Sequence, residues 1–444
     1  MHRFIFPSYL ALLFCLPLPF ASVYTWGWAF FAGCSFVLLA FVLLAKVKTQ
    51  LVSKAPSLNL PPAFIRSIPV LILLLVVQIL VLLQWLLGSY DAYYALLLGL
   101  GLCAFFALTL LLLNDKSSIE KAIWVVILAA GFQALYGALM VMTGLELSFF
   151  SEKWAYFGKA TGTFINRNHL AGYLEMTLAL GIGFLLASST RYSGDWQQRL
   201  RQFIEMLLSP KVIMRLTLAI MVIGLVMTRS RMGNTAFFAS LMITGGLALL
   251  LMKNKSRSTT ILLSSLLIID IAIVGTFFGV EKVAERIQGS SINKESRDEV
   301  SRDTFNMWLE NPILGTGASS YKYTYPSYKS DDVTSPRLYD YAHNDYLQFL
   351  AEFGAIAFLL LALAVALVFY WSIQAMRLRQ RSLNQGLGFA SCMGIIAIMI
   401  HSSVDFNLQI PANAFMFVFM LAIGCIARWA PSDSRSSSRR RRSK

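Results

Sequence analysis

A long polar segment of this chain carries one histidine and several arginines between stretches of apolar sequence. His343 and Asn344 lie at its end, where a new apolar run begins, and Arg297 and Arg302 lie near its start. An imidazole, with an ordinary pKa of about 6.5, can accept a proton from a hydroxyl group near neutral pH. Arginine side chains bind phosphate oxygens in pairs. These residue types together indicate chemistry on an anionic, lipid-borne substrate.

Two of these arginines, Arg297 and Arg302, cannot both face one small site. On a predicted helix over 296–310, Arg297 and Arg302 lie about 140° apart. Asp298 and Glu299 precede Arg302 by four and three residues, so a local ion pair is the alternative role of that side chain. Arg297 has no acid at those spacings downstream, which makes it the better candidate for a cation that faces a substrate.

A second pair of arginines, Arg229 and Arg231, follows the seventh predicted apolar span. An arginine at the edge of a membrane is costly unless it pairs, reaches water or lines a wet cavity. Gly233 and Asn234 follow Arg231 after one methionine and break the apolar pattern, so a ligand could approach the backbone there. Both arginines are candidates for binding phosphate oxygens. The alternative is that they only tether the end of a helix at the membrane surface.

A third cluster, of Arg167, Asn168 and His169, opens the sixth predicted span. A helix N-terminus offers free N–H groups and the positive end of the helix dipole, both of which favour a phosphate. All three residues are therefore candidates for substrate binding, although His169 could equally cap the helix and pack there. Glu175 lies within the span, where an ionisable group is a functional candidate whose partner the sequence does not reveal.

The remaining histidines, His2 and His401, suggest less chemistry. His2 is terminal, and His401 precedes Asp405 by four residues, a spacing that predicts an ion pair across one helical turn. His343 lies at the expected outer mouth of a span, in a segment rich in polar and aromatic side chains. It is the candidate catalytic base, and the alternative is a solvated loop histidine.

Two short motifs in the polar segment predict its local structure. Asn311-Pro312 should end the predicted helix, because a residue before proline tends to leave the α region. Gly315-Thr316-Gly317 resembles part of a dinucleotide fingerprint, but no predicted strand precedes it. It therefore predicts a turn that glycine permits.

The apolar sequence around these residues must cross a membrane several times. The 444 residues have a mean hydropathy of +0.62 and only 14% are charged, which excludes a soluble globular domain. Apolar runs repeatedly reach the ~20 residues that cross a bilayer. We predict an all-α integral membrane protein, a single polytopic domain over 1–444 with about twelve transmembrane helices. The predicted spans are 7–22, 28–45, 68–87, 92–113, 121–144, 169–188, 213–228, 232–252, 259–280, 346–371, 387–402 and 412–428.

The distribution of charge predicts the orientation of these spans. Lys and Arg accumulate on the cytoplasmic side of membrane proteins. Most of the 38 Lys and Arg, but few of the 23 Asp and Glu, lie in the termini and in every second connection, which predicts that both termini are cytoplasmic. The net charge of +15 is then a topogenic signal. The basic tail 429–444 is expected to be a disordered anchor that faces lipid, and no nucleic-acid partner is expected.

Three segments on the outer side are long or polar enough to form a site: 145–168, 281–345 and 403–411. The segment 281–345 combines helical patterning with many aromatic residues, which predicts a small capping subdomain rather than a disordered loop. The five cysteines all fall inside apolar spans, so neither a disulfide framework nor a cysteine metal site is expected.

Several motifs together resemble the O-antigen ligase and polymerase family of bacterial inner-membrane glycosyltransferases. The resemblance covers about residues 160–425. The segments that carry it are GTFINRNHLAGYLEM, SRMG, RDEVSRDTFNMWLENPILGTG, AHNDYLQFLAEFG and HSSVDFNLQIPA.

The resemblance implies a GT-C-like fold with a helical periplasmic loop, in the bacterial inner membrane, with the active site on the periplasmic side. It also implies transfer of a glycan from an undecaprenyl-pyrophosphate carrier to a glycolipid, glycan or protein acceptor, without a metal ion or other cofactor. Arg231 and Arg297 would hold the pyrophosphate, and His343 would deprotonate or orient the acceptor hydroxyl. The displacement at the anomeric carbon would be inverting.

The chain departs from the family pattern at two places. Gly354 follows His343 by eleven residues, but Ala357 meets the ligase-specific pattern only loosely. Arg167-Asn168 replaces part of a commoner Asn-Pro-Asn, which adds a cation and leaves the role of Arg167 open.

The family combines several activities, and the sequence leaves the choice between them open. An O-antigen ligase-like transferase is our first interpretation, and an O-antigen or exopolysaccharide polymerase with the same donor is the second. A protein O-oligosaccharyltransferase is a further alternative. A transporter or flippase of lipid-linked sugars belongs to a different class; it should carry more ionisable residues at mid-membrane or paired repeats with broken helices.

Overall fold

The computed structural model describes residues 2–53, 58–148, 151–188, 210–252, 260, 264–265, 297–333 and 338–431. The chain is almost entirely helical in these ranges, apart from one short antiparallel pair of strands. The elements are α1 (His2–Cys15), α2 (Thr25–Ser53), α3 (Pro62–Arg66), α4 (Ile68–Leu86), α5 (Ala92–Leu112), α6 (Lys116–Thr143), β1 (Leu147–Ser148), β2 (Ser151–Glu152), α7 (Arg167–Ala187), α8 (Pro210–Met227), α9 (Arg231–Leu251), α10 (Arg297–Glu310), α11 (Tyr321–Thr324), α12 (Asp345–Leu378), α13 (Ser382–His401) and α14 (Pro411–Trp429).

The prediction of an all-α membrane protein is confirmed at this level. Within the described ranges, nine helices are long and apolar enough to cross a membrane. The first and seventh predicted spans correspond to α1 and α8, whose apolar stretches, Phe4–Cys15 and Val212–Met227, are shorter. Most of the predicted span 259–280, the start of the predicted loop 281–345 and most of the tail 429–444 lie outside the described residues.

The helices α7, α13 and α14 form the centre of the bundle. About nine-tenths of the apolar part of α14 is buried, whereas α4 and α12 bury only about a fifth of theirs. Small residues allow the central helices to approach closely, as in other membrane bundles. A Cβ added at Gly183 would lie 2.3 Å from the carbonyl oxygen of Gly386. This close packing of α7 on α13 fixes the helix ends that carry the candidate site.

Contacts between helix ends define two opposite ends of the bundle. At one end, the start of α7 contacts the end of α8 through Arg167 and Arg229, and Arg297 at the start of α10 reaches Val404 between α13 and α14. At the other end, Asn384 of α13 bonds the carbonyl of Ala427 in α14. Eight of the nine candidate site residues lie at the first end, which we call the site end.

A break in α12 receives the chain that follows α10. The helix α10 ends at Glu310, as Asn311-Pro312 predicts. Gly354 then interrupts α12 with φ 74° and ψ 170°. The amide of Ala355 donates to Pro312 O at 2.9 Å, and that of Thr316 donates to Ala351 O at 2.9 Å. These bonds satisfy backbone groups that the break would leave unpaired.

The glycine turn after α10 is confirmed. Gly315 and Gly317 have φ values of +71° and +110°, in the left-handed region that glycine tolerates. The side chain of Gln84, at the end of α4, donates to Leu314 O at 2.5 Å and to Glu352 O at 2.9 Å. The polar segment is thus tied to two membrane helices.

Gly354→Ala should lower the free energy of unfolding by about 2 kcal/mol or more, because this backbone conformation is nearly restricted to glycine. The added Cβ would also lie 2.2 Å from Ile313 O. Thermal or denaturant unfolding in detergent measures the effect. Gly246→Ala is the matched control, since it lies in α9 with no atom within 4 Å of the added Cβ. Equal stability of the two variants would contradict the role of the break.

Candidate active site

A buried carboxylate, Asp405, lies at the centre of the site end, in the connection between α13 and α14. Its side chain is 2% exposed. The Nδ2 group of Asn168 donates to its Oδ2 at 2.5 Å, and the amide of Phe406 donates to its Oδ1 at 2.9 Å. Two imidazoles face the same Oδ1, with His169 Nε2 and His343 Nδ1 each at 3.8 Å. Asp405 therefore joins two of the three candidate clusters.

An aromatic ring holds the two imidazoles from another side. The ring of Phe406 meets His169 edge-on at 4.6 Å and His343 edge-on at 4.8 Å between centroids. Tyr341 stacks on the same ring at 4.3 Å. Packing against rings restricts the rotation of an imidazole. The orientation of His343 is therefore set by the carboxylate of Asp405 and by the ring of Phe406.

The backbone around His343 is held in an unusual conformation. His343 has φ +52°, which is uncommon for a residue with a side chain. Asn344 caps α12 by accepting a bond from the amide of Leu347, and the amide of Asp345 donates to Ser402 O at 2.9 Å. These bonds stabilise the strained turn and place the imidazole at the mouth of the bundle.

The exposed part of the His343 side chain lies away from Asp405. The side chain is 28% exposed, whereas Nδ1 is buried. The arrangement of an imidazole with one nitrogen facing a buried carboxylate and another edge open is that of an oriented general base. A separation of 3.8 Å is longer than a hydrogen bond, but such contacts often shorten when a substrate binds.

The charge on Asp405 is stabilised by its neighbours. Burial opposes its ionisation, but the imidazoles of His169 and His343 outweigh burial and hold the pKa of Asp405 well below its usual range. Asp405 is therefore ionised at neutral pH.

Two exposed arginines flank this centre. Arg229 and Arg231 are both exposed, and in the described part of the chain the side chain of neither makes a hydrogen bond or an ion pair. Arg229 has φ +52°. The Nη1 group of Arg167 donates to Arg229 O at 2.8 Å and so braces the turn that leads into α9. The structure gives Arg167 a positioning contact, which the sequence had left open.

Arg297 and Arg302 go to different places, as the helix phase predicts. Arg297 donates through Nη1 to Val404 O at 3.2 Å, directly beside Asp405. Arg302 instead pairs with Asp332 at 3.1 Å and with Asp303 at 3.5 Å.

The ion pair expected for Arg302 therefore forms, but its partners are not Asp298 and Glu299. We use the name capping segment for α10 and the described residues between α10 and α12. This segment folds back and brings Asp332 to the exposed side of α10. Arg302 is thus tied within the capping segment, because its hydrogen bonds go to Asp303, Ser330 and Asp332, none of which is a candidate site residue.

The predicted pair of His401 and Asp405 is wrong. His401 Nδ1 lies 2.7 Å from Glu175 Oε1, and both side chains are fully buried. The helix α13 ends at His401, so the four-residue spacing to Asp405 does not follow a helical turn. Glu175 thereby receives the partner that the sequence did not reveal.

Sequence reasoning missed two acids that organise the site. Asp405 was considered only as a partner of His401, and Asp345 was not a candidate. Asp345 Oδ2 accepts bonds from Ser402 Oγ at 2.7 Å and from the amide of Leu408 at 3.0 Å, which ties the start of α12 to the connection before α14. A signal was present, since both acids lie next to the ends of predicted apolar spans.

A cavity of about 1120 Å³ extends between the membrane helices and reaches Tyr341 and Asp345, each two positions from His343 in the sequence. Tyr341 and Asp345, on either side of His343, line its polar part together with Lys322 and Asp340. Its deeper walls are mainly apolar and come from spanning helices; they include Leu74, Ala95, Leu98, Phe353, Leu361 and Phe369. A cavity with a polar mouth and apolar walls suits an amphiphile.

Residues 216–362 match a family model described as O-antigen ligase. The resemblance inferred from the motifs is therefore confirmed. The matched range contains Arg229, Arg231, Arg297 and His343, whereas Asp405 lies beyond it. No curated protein matches the chain at a significant level.

Asp405→Asn should lower the free energy of unfolding at pH 7 by about 1–3 kcal/mol. The reason is that an amide has one acceptor oxygen and cannot accept all the hydrogen bonds that Asn168 and the Phe406 amide donate to the carboxylate. The folded-state pKa is depressed, so this stabilisation is complete above the unfolded value of about 4 and is lost as the pH falls through the folded value. The difference from wild type should therefore shrink in acid.

Unfolding of both proteins in detergent between pH 7 and pH 3 measures this difference. Asp331→Asn, at an exposed carboxylate of the capping segment, is the control. A difference from wild type that stays constant over the whole range would contradict the assignment of a depressed pKa to Asp405.

Proposed function

We propose that this chain, a protein of the O-antigen ligase and polymerase family by its residues 216–362, is a membrane glycosyltransferase. It transfers a glycan from an undecaprenyl-pyrophosphate carrier to an acceptor hydroxyl at the periplasmic face of the inner membrane. The observation that carries this proposal is the juxtaposition of an oriented imidazole, His343, with arginines at one end of a membrane bundle.

His343 is the proposed general base. The acceptor hydroxyl approaches the open edge of the ring and loses its proton to the imidazole as its oxygen attacks the anomeric carbon. Asp405 keeps the ring in one orientation and stabilises the imidazolium that forms, as the carboxylate does in a hydrolase triad. Asn168 and the Phe406 amide in turn hold Asp405.

Arg231 and Arg297 are the proposed pyrophosphate ligands. As the new glycosidic bond forms, the bond from the anomeric carbon to the pyrophosphate oxygen breaks, and the electron pair leaves on that oxygen. Fixed positive charge at the leaving group lowers the barrier most, because negative charge develops there in the transition state. Arg229 is well placed to assist, since it adjoins Arg231. Attack opposite to the leaving group inverts the anomeric configuration, and the arginines allow the reaction to proceed without a metal ion.

The cavity lined by Tyr341 and Asp345, the near sequence neighbours of His343, supports a lipid-borne substrate. Its walls come from spanning helices, and its polar mouth includes residues on either side of the base. A prenyl or acyl chain can therefore remain in the apolar part while its polar group reaches His343. The expected orientation, with the site end on the periplasmic side, agrees with the clustering of Arg377, Arg379 and Arg381 at the opposite end.

A polymerase with the same donor is the second candidate. Ligation and polymerisation need the same base and the same pyrophosphate ligands, and they differ only in the acceptor. The match to the O-antigen ligase family supports both. Transfer to a protein acceptor would use the same chemistry.

His343→Ala should reduce glycan transfer by roughly 10²-fold or more, and Arg231→Gln by roughly 10²–10³-fold. The measurement is transfer from a lipid-pyrophosphate donor by purified protein in detergent, with EDTA present. Arg377→Gln, at the opposite end of the bundle, should keep near wild-type activity. Full activity of the His343 variant would contradict its role as the base. Loss of wild-type activity in EDTA would contradict the metal-free mechanism.

Ala95→Trp should raise the KM for substrates with long lipid chains, because the indole would occupy the wall of the cavity. A short-chain analogue of the same substrate should be affected much less. The control is Leu363→Trp, at a side chain 54% exposed on the outside of α12. Equal effects on long and short chains would contradict a lipid-binding role for the cavity.

A further inference from the structure

Three arginines converge at the end of the bundle opposite to the candidate active site. Arg66 ends α3, Arg379 lies between α12 and α13, and Arg428 lies in the last turn of α14. The guanidinium carbon of Arg428 lies 4.1 Å from the centre of the Trp429 ring, and that of Arg66 lies 4.8 Å from it. We call these three residues the far-end arginine cluster.

The cluster holds more positive charge than its protein neighbours balance. In the described part of the chain, none of the three arginines forms an ion pair with Asp or Glu. Burial, together with the positive charges of Arg428 and Arg381, lowers the pKa of Arg379 from its usual value. Like charges held together and partly removed from water are costly unless an anion joins them.

The protein contacts of the cluster hold the side chains without neutralising them. Arg379 donates through Nη2 to Ala430 O, which satisfies a carbonyl at the end of α14. Arg428 donates through Nε to Gln374 Oε1 at 2.8 Å. Each guanidinium has five N–H donors, so most of them are left for another acceptor. All the partners in these bonds are uncharged.

Aromatic residues place the cluster at the level of lipid headgroups. Trp371 and Trp429 pack edge to face at 5.8 Å, and Tyr370 on the same part of α12 is 55% exposed. Trp and Tyr concentrate at the membrane–water interface, where one part of the ring is in lipid and another is wet. An anion that reaches the arginines here can carry acyl chains into the adjacent bilayer.

We propose that Arg66, Arg379 and Arg428 form a binding site for the phosphate group of an anionic phospholipid. Arginine binds phosphate oxygens with two parallel bonds, and basic pockets between transmembrane helices bind anionic headgroups. The site is distinct from the proposed active site and does not depend on the proposed function. Its ligand would link α3, the connection after α12 and the end of α14.

Native mass spectrometry of the full chain in detergent tests the site, with phosphatidylglycerol titrated against phosphatidylcholine and against inorganic phosphate. The protein should retain phosphatidylglycerol in preference to both. Arg66→Gln should weaken retention about fivefold, and Arg379→Gln combined with Arg428→Gln about thirtyfold. Arg66→Gln keeps the test valid if the double variant fails to fold, because no described residue is hydrogen-bonded to the Arg66 side chain.

Arg377→Gln is the matched control, since it removes one exposed arginine at the same end of the bundle. All the variants keep the basic tail, so its contribution cancels. Equal weakening by Arg377→Gln and Arg66→Gln would overturn a defined site in favour of diffuse attraction to basic charge. Equal retention of inorganic phosphate and phosphatidylglycerol would overturn the lipid and leave a free phosphate as the ligand.

Discussion

The charge of Asp405, buried between two helix ends, is the constraint on which the candidate site depends. A carboxylate with 2% of its side chain exposed is tolerated only when donors and positive charge replace water. Here the donors come from Asn168 and a backbone amide, and the imidazoles of His169 and His343 face the same carboxylate oxygen. Satisfying one carboxylate therefore fixes two histidines from different helices, and the open edge of one of them becomes available for chemistry.

Close packing in the membrane makes this arrangement rigid. The glycines that bring α7 against α13 help to fix the position of His169 relative to the connection that carries Asp405. The break at Gly354 lets the chain after α10 pair with α12, so the capping segment is attached to the same helix that begins beside His343. The arginines and the base would thus hold the substrate groups at fixed positions relative to each other. Preorganisation of this kind is what electrostatic catalysis requires.

The two ends of the bundle use arginine differently. At the site end, Arg297 is positioned by the carbonyl of Val404 and lies close to a buried acid. At the far end, Arg379 and Arg428 lie close to each other, and their hydrogen-bond partners are uncharged. The first arrangement suits transient binding of a leaving group beside a base. The second suits lasting binding of an anion that the membrane itself supplies.

The sequence by itself determined the class of the protein, because insertion into a bilayer depends on the length of apolar runs and on the charge beside them, which are local properties. It also determined the end of α10, the glycine turn and the separation of Arg297 from Arg302, since helix phase and proline act within a few residues. Only the tertiary structure decided the partners. His401 pairs with Glu175 and Arg302 with Asp332, across 226 and 30 residues of sequence. Spacing along a helix cannot predict such pairs, because they depend on how distant helices and loops pack together.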